Sequence, residues 1–188
     1  VLENAAAEPE VVALAEFFVS CGARIEGHGT KTMRIEGVDK LHPARHAIIP
    51  DRIETGTYLV AGAITGGDLR LTGCRADHLE AVIEVLREAG SVIDEEEGAL
   101  RIRGEVPPRG VHVVTAPYPG FPTDMQAQMM ALASIGIGVS VVQDTIYHDR
   151  FTHVAELNRL GADIRLDGDT AVIHTAGGLS GANVMATD

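Results

Sequence analysis

The stretch Leu160-Gly161-Ala162-Asp163-Ile164 decides the expected fold, because it occurs three times in similar form. In each copy a helix-like stretch ends at a glycine, and a short strand, a tight hairpin and a second strand follow. The glycines are spaced by about 70 residues, which is too long for a solenoid repeat and fits a compact βαβαββ unit, called a module below. The earlier copies are Cys21-Gly22-Ala23-Arg24-Ile25 and Ala89-Gly90-Ser91-Val92-Ile93.

The predicted helices are of two alternating kinds. Asp51 to Ile64 and Thr123 to Ile135 are apolar on nearly all sides after the first turn, which is typical of a buried helix. Asp77 to Gly90 and Asp149 to Gly161 carry one apolar stripe and a charged face, which is typical of a surface helix. We therefore expect a mixed α/β (α+β) fold of repeated βαβαββ modules, with the inner helices packed together and the sheets outside them, as an inside-out α/β barrel.

The phase of the repeat also predicts how the chain is divided. Val1 lies partway through one module and Asp188 lies near the start of another, so we expect a part of a longer protein. A short extended segment that ends at Pro50 is the expected place for a change of domain.

Composition limits the kinds of partner that the chain can have. The formal net charge of −12 argues against nucleic acid or an anionic membrane surface, because proteins that track phosphates carry basic patches. Cys21 and Cys74 are isolated and lack metal-ligand spacing, so we expect two buried thiols in a reducing, cytoplasmic setting and no metal site. No stretch approaches the ~18 consecutive apolar residues of a membrane-spanning helix.

The first candidate site lies in the segment from Thr115 to Gln128, where a turn rich in proline and glycine delivers polar residues to the start of a buried helix. Thr123 and Gln126 fit a capping box, which would place Asp124 in the first helical turn. There Asp124 is either a carboxylate favoured by the helix dipole or a catalytic group. A catalytic base at this position needs burial or a neighbouring carboxylate, because the positive end of a helix lowers its basicity.

Two further segments are open to more than one interpretation. Gln143 to Arg150 is either an ordinary loop between a strand and a helix or a place where main-chain N–H groups and Arg150 meet a ligand. In Ile49 to Thr57, Asp51 and Glu54 fit a capping box, and Arg52 either forms a structural ion pair or lines a cleft.

At these segments the chain resembles the UDP-N-acetylglucosamine enolpyruvyl (1-carboxyvinyl) transferase family. The longest specific match is Phe121-Pro122-Thr123-Asp124-Met125-Gln126-Ala127-Gln128. The other matching stretches run from one end of the chain to the other, at residues 3–6, 49–57, 145–146, 150–151, 179–182 and 185–188. The family is built from six βαβαββ modules in two inside-out domains. The resemblance therefore implies that residues 1–48 are the last, partial module of the first domain and that residues 49–188 are two modules and the start of a third in the second domain.

The resemblance also implies a reaction. The 3′-hydroxyl of UDP-N-acetylglucosamine adds to phosphoenolpyruvate and phosphate is released, in the first committed step of peptidoglycan synthesis, with no metal or organic cofactor. Asp124 matches the family aspartate that binds this hydroxyl and acts as its base. Ile146 matches the position whose main chain holds the nucleotide sugar, and Tyr147 lies beside it. Arg150 and Asp188 match residues that line the cleft.

The chain departs from the family in its extent. It has no counterpart of the mobile loop that carries the family's cysteine acid, of an early Lys-Asn pair, or of the late arginines that grip phosphoenolpyruvate. Neither Cys21 nor Cys74 takes the role of that cysteine. We therefore expect residues 1–188 to be inactive without the N- and C-terminal parts of the same enzyme. Two alternatives are the related enolpyruvylshikimate-phosphate synthase and a non-catalytic binding module of the same fold.

Overall fold

The computed structural model describes residues 1–176 and 178–186. The chain forms two compact units. The first comprises Val1–Pro50 with Pro117–Pro119, and the second comprises Asp51–Ala116 with the described residues from Gly120 onward. The assignment of residues 1–48 and 49–188 to two domains of a longer enzyme stays a prediction.

The first unit is a helix with a small antiparallel sheet. Helix α1 has a proline in its first turn, where a proline removes no helical hydrogen bond. The predicted hairpin is present, and the strand order is β1-β3-β2. The elements are β1 (Leu2–Glu3), α1 (Pro9–Ser20), β2 (Arg24–Glu26) and β3 (Thr32–Glu36).

The second unit contains two sheets. One is antiparallel in the order β4-β6-β5, and the other has the order β7-β8-β10-β9, in which β7 and β8 are parallel. The helices are α2 (Arg52–Ile64), α3 (Glu80–Glu88), α4 (Gln126–Ala133) and α5 (His153–Arg159). The strands are β4 (Asp68–Thr72), β5 (Val92–Glu96), β6 (Ala99–Arg103), β7 (His112–Val114), β8 (Val139–Gln143), β9 (Asp163–Asp167) and β10 (Thr170–His174). The run from β7 to β10 is a complete βαβαββ module.

The three glycines that define the repeat have the same backbone conformation. The φ angles of Gly22, Gly90 and Gly161 are 96°, 108° and 102°, in a region that glycine adopts at low cost. Each glycine N–H bonds to a carbonyl three residues earlier, and the N–H of the next residue bonds to one five residues earlier, at 2.9 to 3.1 Å. This paired ending, the Schellman motif, turns the chain from the helix into the following strand.

The inner helices α2 and α4 pack against each other, and the sheet β4-β6-β5 lies with one face to solvent. A Cβ atom at Gly56 of α2 would lie 2.8 Å from Sδ of Met125, just before α4. The outer face of the sheet carries exposed ion pairs such as Arg70–Glu96 and Arg101–Asp68, while Leu100 and Ile102 of β6 are fully buried. The predicted mixed α/β fold with inner helices and an outer sheet is confirmed.

Three details of the helices differ from the prediction. Helix α2 is not buried on all sides, since Tyr58 is 53% exposed. Among the described residues, α4 is the inner helix that packs against α2. Helix α3 begins at Glu80 rather than Asp77, because Ala76–His78 form a 3₁₀ turn. Helix α5 begins at His153 rather than Asp149, because the chain between Asp144 and His153 forms bends and turns, the first of which is bonded to the Asp144 side chain.

Candidate active site

The candidate site lies where the parallel strands β7 and β8 end. Val114 and Gln143, the last residues of the two strands, are paired, so the next residues, Thr115 and Asp144, meet at the same edge of the sheet. The Thr115 hydroxyl donates to Oδ1 of Asp144 at 2.8 Å. Ligand sites of α/β sheets form at the carboxyl ends of parallel strands, because loops from neighbouring strands converge there.

Asp144 is a fully buried carboxylate with four hydrogen-bond donors. Oδ1 accepts from the Thr115 hydroxyl and from the main-chain N–H groups of Ile146 and Tyr147, the last two at 2.9 and 3.1 Å. Oδ2 accepts from the Thr123 hydroxyl at 2.6 Å. Burial alone would raise the pKa of Asp144, but the hydrogen bonds outweigh it and hold the pKa below its ordinary value. Asp144 is therefore an anion at neutral pH.

Asp124 and Arg150 form an ion pair at this edge. The Nη1 atom of Arg150 lies 2.8 Å from Oδ1 of Asp124, and the two side chains are 41% and 50% exposed. The same nitrogen donates to the Thr123 hydroxyl oxygen at 3.2 Å. The guanidinium carbon lies 5.3 Å from the centre of the Tyr147 ring, within the range of a cation–π contact. Arg150 thus joins Asp124 to the Tyr147 loop.

The capping box predicted at Thr123 and Gln126 is not formed. Thr123 to Met125 form a 3₁₀ turn, the α-helix begins at Gln126, and neither element has a side-chain cap. The Thr123 hydroxyl oxygen accepts from Nη1 of Arg150 and not from a main-chain N–H, and its proton is donated to Asp144. Asp124 consequently lies in a 3₁₀ turn beside the Arg150 guanidinium. Its side chain is half exposed, and among the described residues no carboxylate contacts it.

Within Gln143 to Arg150, where main-chain N–H groups could meet a ligand, those from Asp144 to Tyr147 are already bonded. Those of Ile146 and Tyr147 both donate to Asp144, which turns the chain away from β8. The side chains themselves remain accessible, at 37% for Ile146 and 56% for Tyr147. A ligand held by the main chain of Ile146 would therefore meet its carbonyl oxygen more readily than its N–H.

An open cavity of about 580 Å³ joins these residues. It is lined by Asp124, Tyr147, His148, Asp149 and Arg150. Three of the five site residues predicted from the sequence line it, and Ile146 lies next to Tyr147 in the same turn. The fifth, Asp188, lies outside the described residues.

The profile of the EPSP synthase (3-phosphoshikimate 1-carboxyvinyltransferase) family matches residues 1–188. The chain belongs to this family. Three curated relatives named UDP-N-acetylglucosamine 1-carboxyvinyltransferase match the whole chain. They come from Nitratidesulfovibrio vulgaris strain DP4 at 56% identity, Magnetococcus marinus at 53% and Azorhizobium caulinodans at 55%, and the match covers 45%, 45% and 44% of their lengths. The chain therefore spans less than half the length of these relatives.

Two solved structures of similar proteins agree with the fold. The enolpyruvyl transferase NikO from Streptomyces tendae superposes with a TM-score of 0.82 at 25% identity, over 92% of this chain and 42% of NikO. An EPSP synthase from Acinetobacter baumannii superposes with a TM-score of 0.53 at 19% identity, over 90% of this chain and 40% of that one. The second likeness shows the fold alone.

The sequence did not identify four residues of this site individually. His148 and Asp149 lie inside the segment that the sequence singled out, so their position beside Tyr147 was a usable signal. Asp144 and Thr115 also lie in segments that the sequence singled out, but no local pattern showed that they bond to each other, because that contact joins two strand ends 29 residues apart. Arg52 is buried; the sequence had left open whether it forms an ion pair or lines a cleft. The predicted cap by Asp51 is confirmed, because its side chain accepts from the N–H groups of Ile53 and Glu54.

The described residues offer little for metal or thiol chemistry. Within residues 1–176 and 178–186 there is no group of three His, Cys, Asp or Glu side chains placed to hold a metal ion. Both cysteines are free and buried, and burial raises the pKa of the Cys74 thiol. Over that same part of the chain, no helix is long and apolar enough to cross a membrane.

Proposed function

We propose that this chain is the part of an enolpyruvyl transferase that binds UDP-N-acetylglucosamine and activates its 3′-hydroxyl. The observation that carries the proposal is the Asp124–Arg150 pair, which stands at the carboxyl ends of β7 and β8 beside the exposed turn of Ile146 and Tyr147. The identity of 53 to 56% to relatives named for this substrate supports the same assignment.

The accessible carboxylate of Asp124 fits the role of an acceptor for a sugar hydroxyl. Arg150 occupies Oδ1, and an ionised carboxylate offers about four acceptor positions on its two oxygens, so Oδ2 is available for the 3′-hydroxyl. Hydrogen bonding to Arg150 fixes the orientation of the carboxylate before the substrate arrives. Such preorganisation supplies the larger part of the rate enhancement in sites that act by positioning and electrostatic stabilisation.

The proposed reaction is an addition followed by an elimination. In the proposal, the bound substrate and the other parts of the enzyme bury Asp124, which supplies the raised basicity that a general base needs. Asp124 then takes the proton of the 3′-hydroxyl as the hydroxyl oxygen bonds to C2 of phosphoenolpyruvate, and C3 gains a proton from an acid in another part of the enzyme. The tetrahedral adduct then loses phosphate from C2 and a proton from C3, which leaves the enolpyruvyl ether of the sugar. The proposal includes no metal or organic cofactor.

The activity is proposed for the whole protein and not for residues 1–188 alone. Because the chain spans 44 to 45% of its relatives, the groups that bind phosphoenolpyruvate and supply the acid belong to the remaining N- and C-terminal parts of the same enzyme. Asp188 is kept in the proposal as a residue that binds the substrate. The setting is a cytoplasmic enzyme of peptidoglycan synthesis.

Acceptor-dependent phosphate release tests this proposal. The whole protein is given phosphoenolpyruvate with either UDP-N-acetylglucosamine or shikimate 3-phosphate. Release with the nucleotide sugar alone is the expected result, whereas release with shikimate 3-phosphate would assign the acceptor after which the family profile is named. Absence of release with both acceptors would favour a binding module.

The matched variants are Asp124→Asn and Asp163→Asn. Both remove one partly exposed carboxylate, but Asp163 is on β9, where it faces Arg165 and does not line the cavity. We expect Asp124→Asn to lower kcat by at least about 100-fold, as is usual for loss of a general base, and Asp163→Asn to leave it unchanged. Equal turnover of the two variants would refute the role of Asp124.

A further inference from the structure

We propose that Asp144 is the positioning residue of this site, because its two carboxylate oxygens hold the turn of Ile146 and Tyr147 and the Asp124–Arg150 pair in one arrangement. The inference rests on the proposed function for the identity of the ligand. Asp144 itself does not line the cavity, so it acts through its neighbours and not by touching the substrate.

The first oxygen orders the loop. Oδ1 accepts from the N–H groups of Ile146 and Tyr147, so the backbone after β8 makes a tight turn that presents both side chains to solvent. Oδ1 also accepts from the Thr115 hydroxyl, whose oxygen in turn accepts from the N–H of Thr145 at 3.0 Å. The loop is therefore tied to the end of β7 as well as to β8.

The second oxygen orders the ion pair. Oδ2 takes the only proton of the Thr123 hydroxyl, so the lone pairs of that oxygen are left to accept from Arg150. A chain of contacts then runs from Asp144 through Thr123 to Arg150 and on to Asp124, with N–O and O–O distances of 2.6, 3.2 and 2.8 Å. The charge of Asp144 thus fixes the direction of each hydrogen bond in this chain.

The set of partners favours positioning over simple stability. Burial of a carboxylate is costly unless donors satisfy it, and a well-packed apolar residue commonly serves the core as well. All four donors to Asp144 come from Thr115, Thr123, Ile146 and Tyr147, which lie in or next to the candidate site. A carboxylate is required because an amide would present a donor to the Thr123 proton.

The variants separate the two oxygens. Asp144→Asn keeps one carbonyl acceptor for the Ile146 and Tyr147 amides but loses the acceptor for Thr123, while Asp144→Ala loses both. Thr123→Val removes the same link from the other side, and Thr123→Ser retains it. Ser140→Ala is the control, since it deletes a buried hydrogen bond from the Val111 N–H, between the same two strand regions, and neither residue lines the cavity.

The first readout needs no ligand. Amide hydrogen exchange in the whole protein is expected to speed up at Ile146 and Tyr147 by at least about tenfold in Asp144→Ala, the effect of losing hydrogen bonds to a charged acceptor. Ser140→Ala is expected to leave these two amides unchanged. Unchanged exchange in a folded Asp144→Ala protein would overturn the positioning role, whatever the substrate is.

The second readout uses UDP-N-acetylglucosamine as the probe. Calorimetric Kd and the steady-state kcat are expected to worsen by about tenfold in Asp144→Asn and Thr123→Val and to recover in Thr123→Ser, since one charge-assisted hydrogen bond is lost and restored. Wild-type affinity and kcat in both Asp144→Asn and Thr123→Val would overturn the inference. Failure of the wild-type protein to bind this probe would instead refute the proposed function, and the exchange readout would still decide the role of Asp144.

Discussion

Replacement of Thr115 by valine tests whether the buried carboxylate of Asp144 is held as an anion by its donors. Valine has nearly the same shape, and Thr115 is fully buried, so the change removes a hydroxyl without opening a cavity. Two hydrogen bonds are lost, the donation to Asp144 at 2.8 Å and the acceptance from the Thr145 N–H at 3.0 Å. We expect a loss of about 3 kcal/mol in the free energy of unfolding at pH 7, about 2 from the charged acceptor and about 1 from the amide.

The loss of unfolding free energy in Thr115→Val is expected to depend on pH, because it involves a hydrogen bond to an ionisable group. The pKa of Asp144 is below its usual value in the folded protein, so this group stabilises the fold above the unfolded pKa of about 3.9. That contribution disappears as the pH falls through the lower, folded pKa. Since a neutral acceptor forms a hydrogen bond weaker by about 1 kcal/mol, the cost of Thr115→Val should shrink by that amount only as the pH falls through the lowered pKa of the folded protein.

Urea unfolding of wild type and variant, from pH 7 down to the lowest pH at which both proteins stay folded and Asp144 is protonated, measures this difference. Ser140→Ala is the matched control, because its lost partner, the Val111 N–H, is uncharged and its cost should not vary with pH. A cost for Thr115→Val that is equal at all pH values, or that grows in acid, would refute the reasoning. A cost near zero at pH 7 would show that the bond to Asp144 contributes nothing to stability.

Two predictions concern the glycines. Gly104→Ala places a Cβ 2.6 Å from the Gly62 carbonyl oxygen and 2.7 Å from that of Ala63, so we expect a loss of at least about 2 kcal/mol in urea unfolding, whereas Gly37→Ala, in open space, should be near neutral. Gly90→Ala forces a side chain into a φ of 108°, with an expected cost of about 1 to 2 kcal/mol by thermal unfolding. Gly90→Asn should cost less, since asparagine tolerates this region. A stable Gly104→Ala protein, or equal costs for alanine and asparagine at Gly90, would contradict these expectations.

The sequence predicts the repeat well because its signals are local. A glycine after a helix reports a left-handed backbone position within a few residues, and Gly22, Gly90 and Gly161 all have that conformation. The apolar stripe of the α3 region is likewise a property of neighbouring turns, and Leu79, Val82, Ile83 and Leu86 are all buried as predicted. The first residues of the helices were predicted less accurately, because turns such as Thr123–Met125 depend on contacts with residues far along the chain.

The sequence alone determined the modular α/β architecture, the alternation of inner and outer helices and the segments around Asp124 and Arg150. These follow from periodicity and from specific short motifs, which are contained in the order of the residues. The tertiary structure decided which groups touch there. Asp144 meets Thr115 and Thr123 across 29 and 21 residues, and Arg150 meets Thr123 across 27, only because parallel strands bring their ends to one edge. These tertiary contacts supply the donors that keep Asp144 ionised, and they fix the direction of each hydrogen bond at the site.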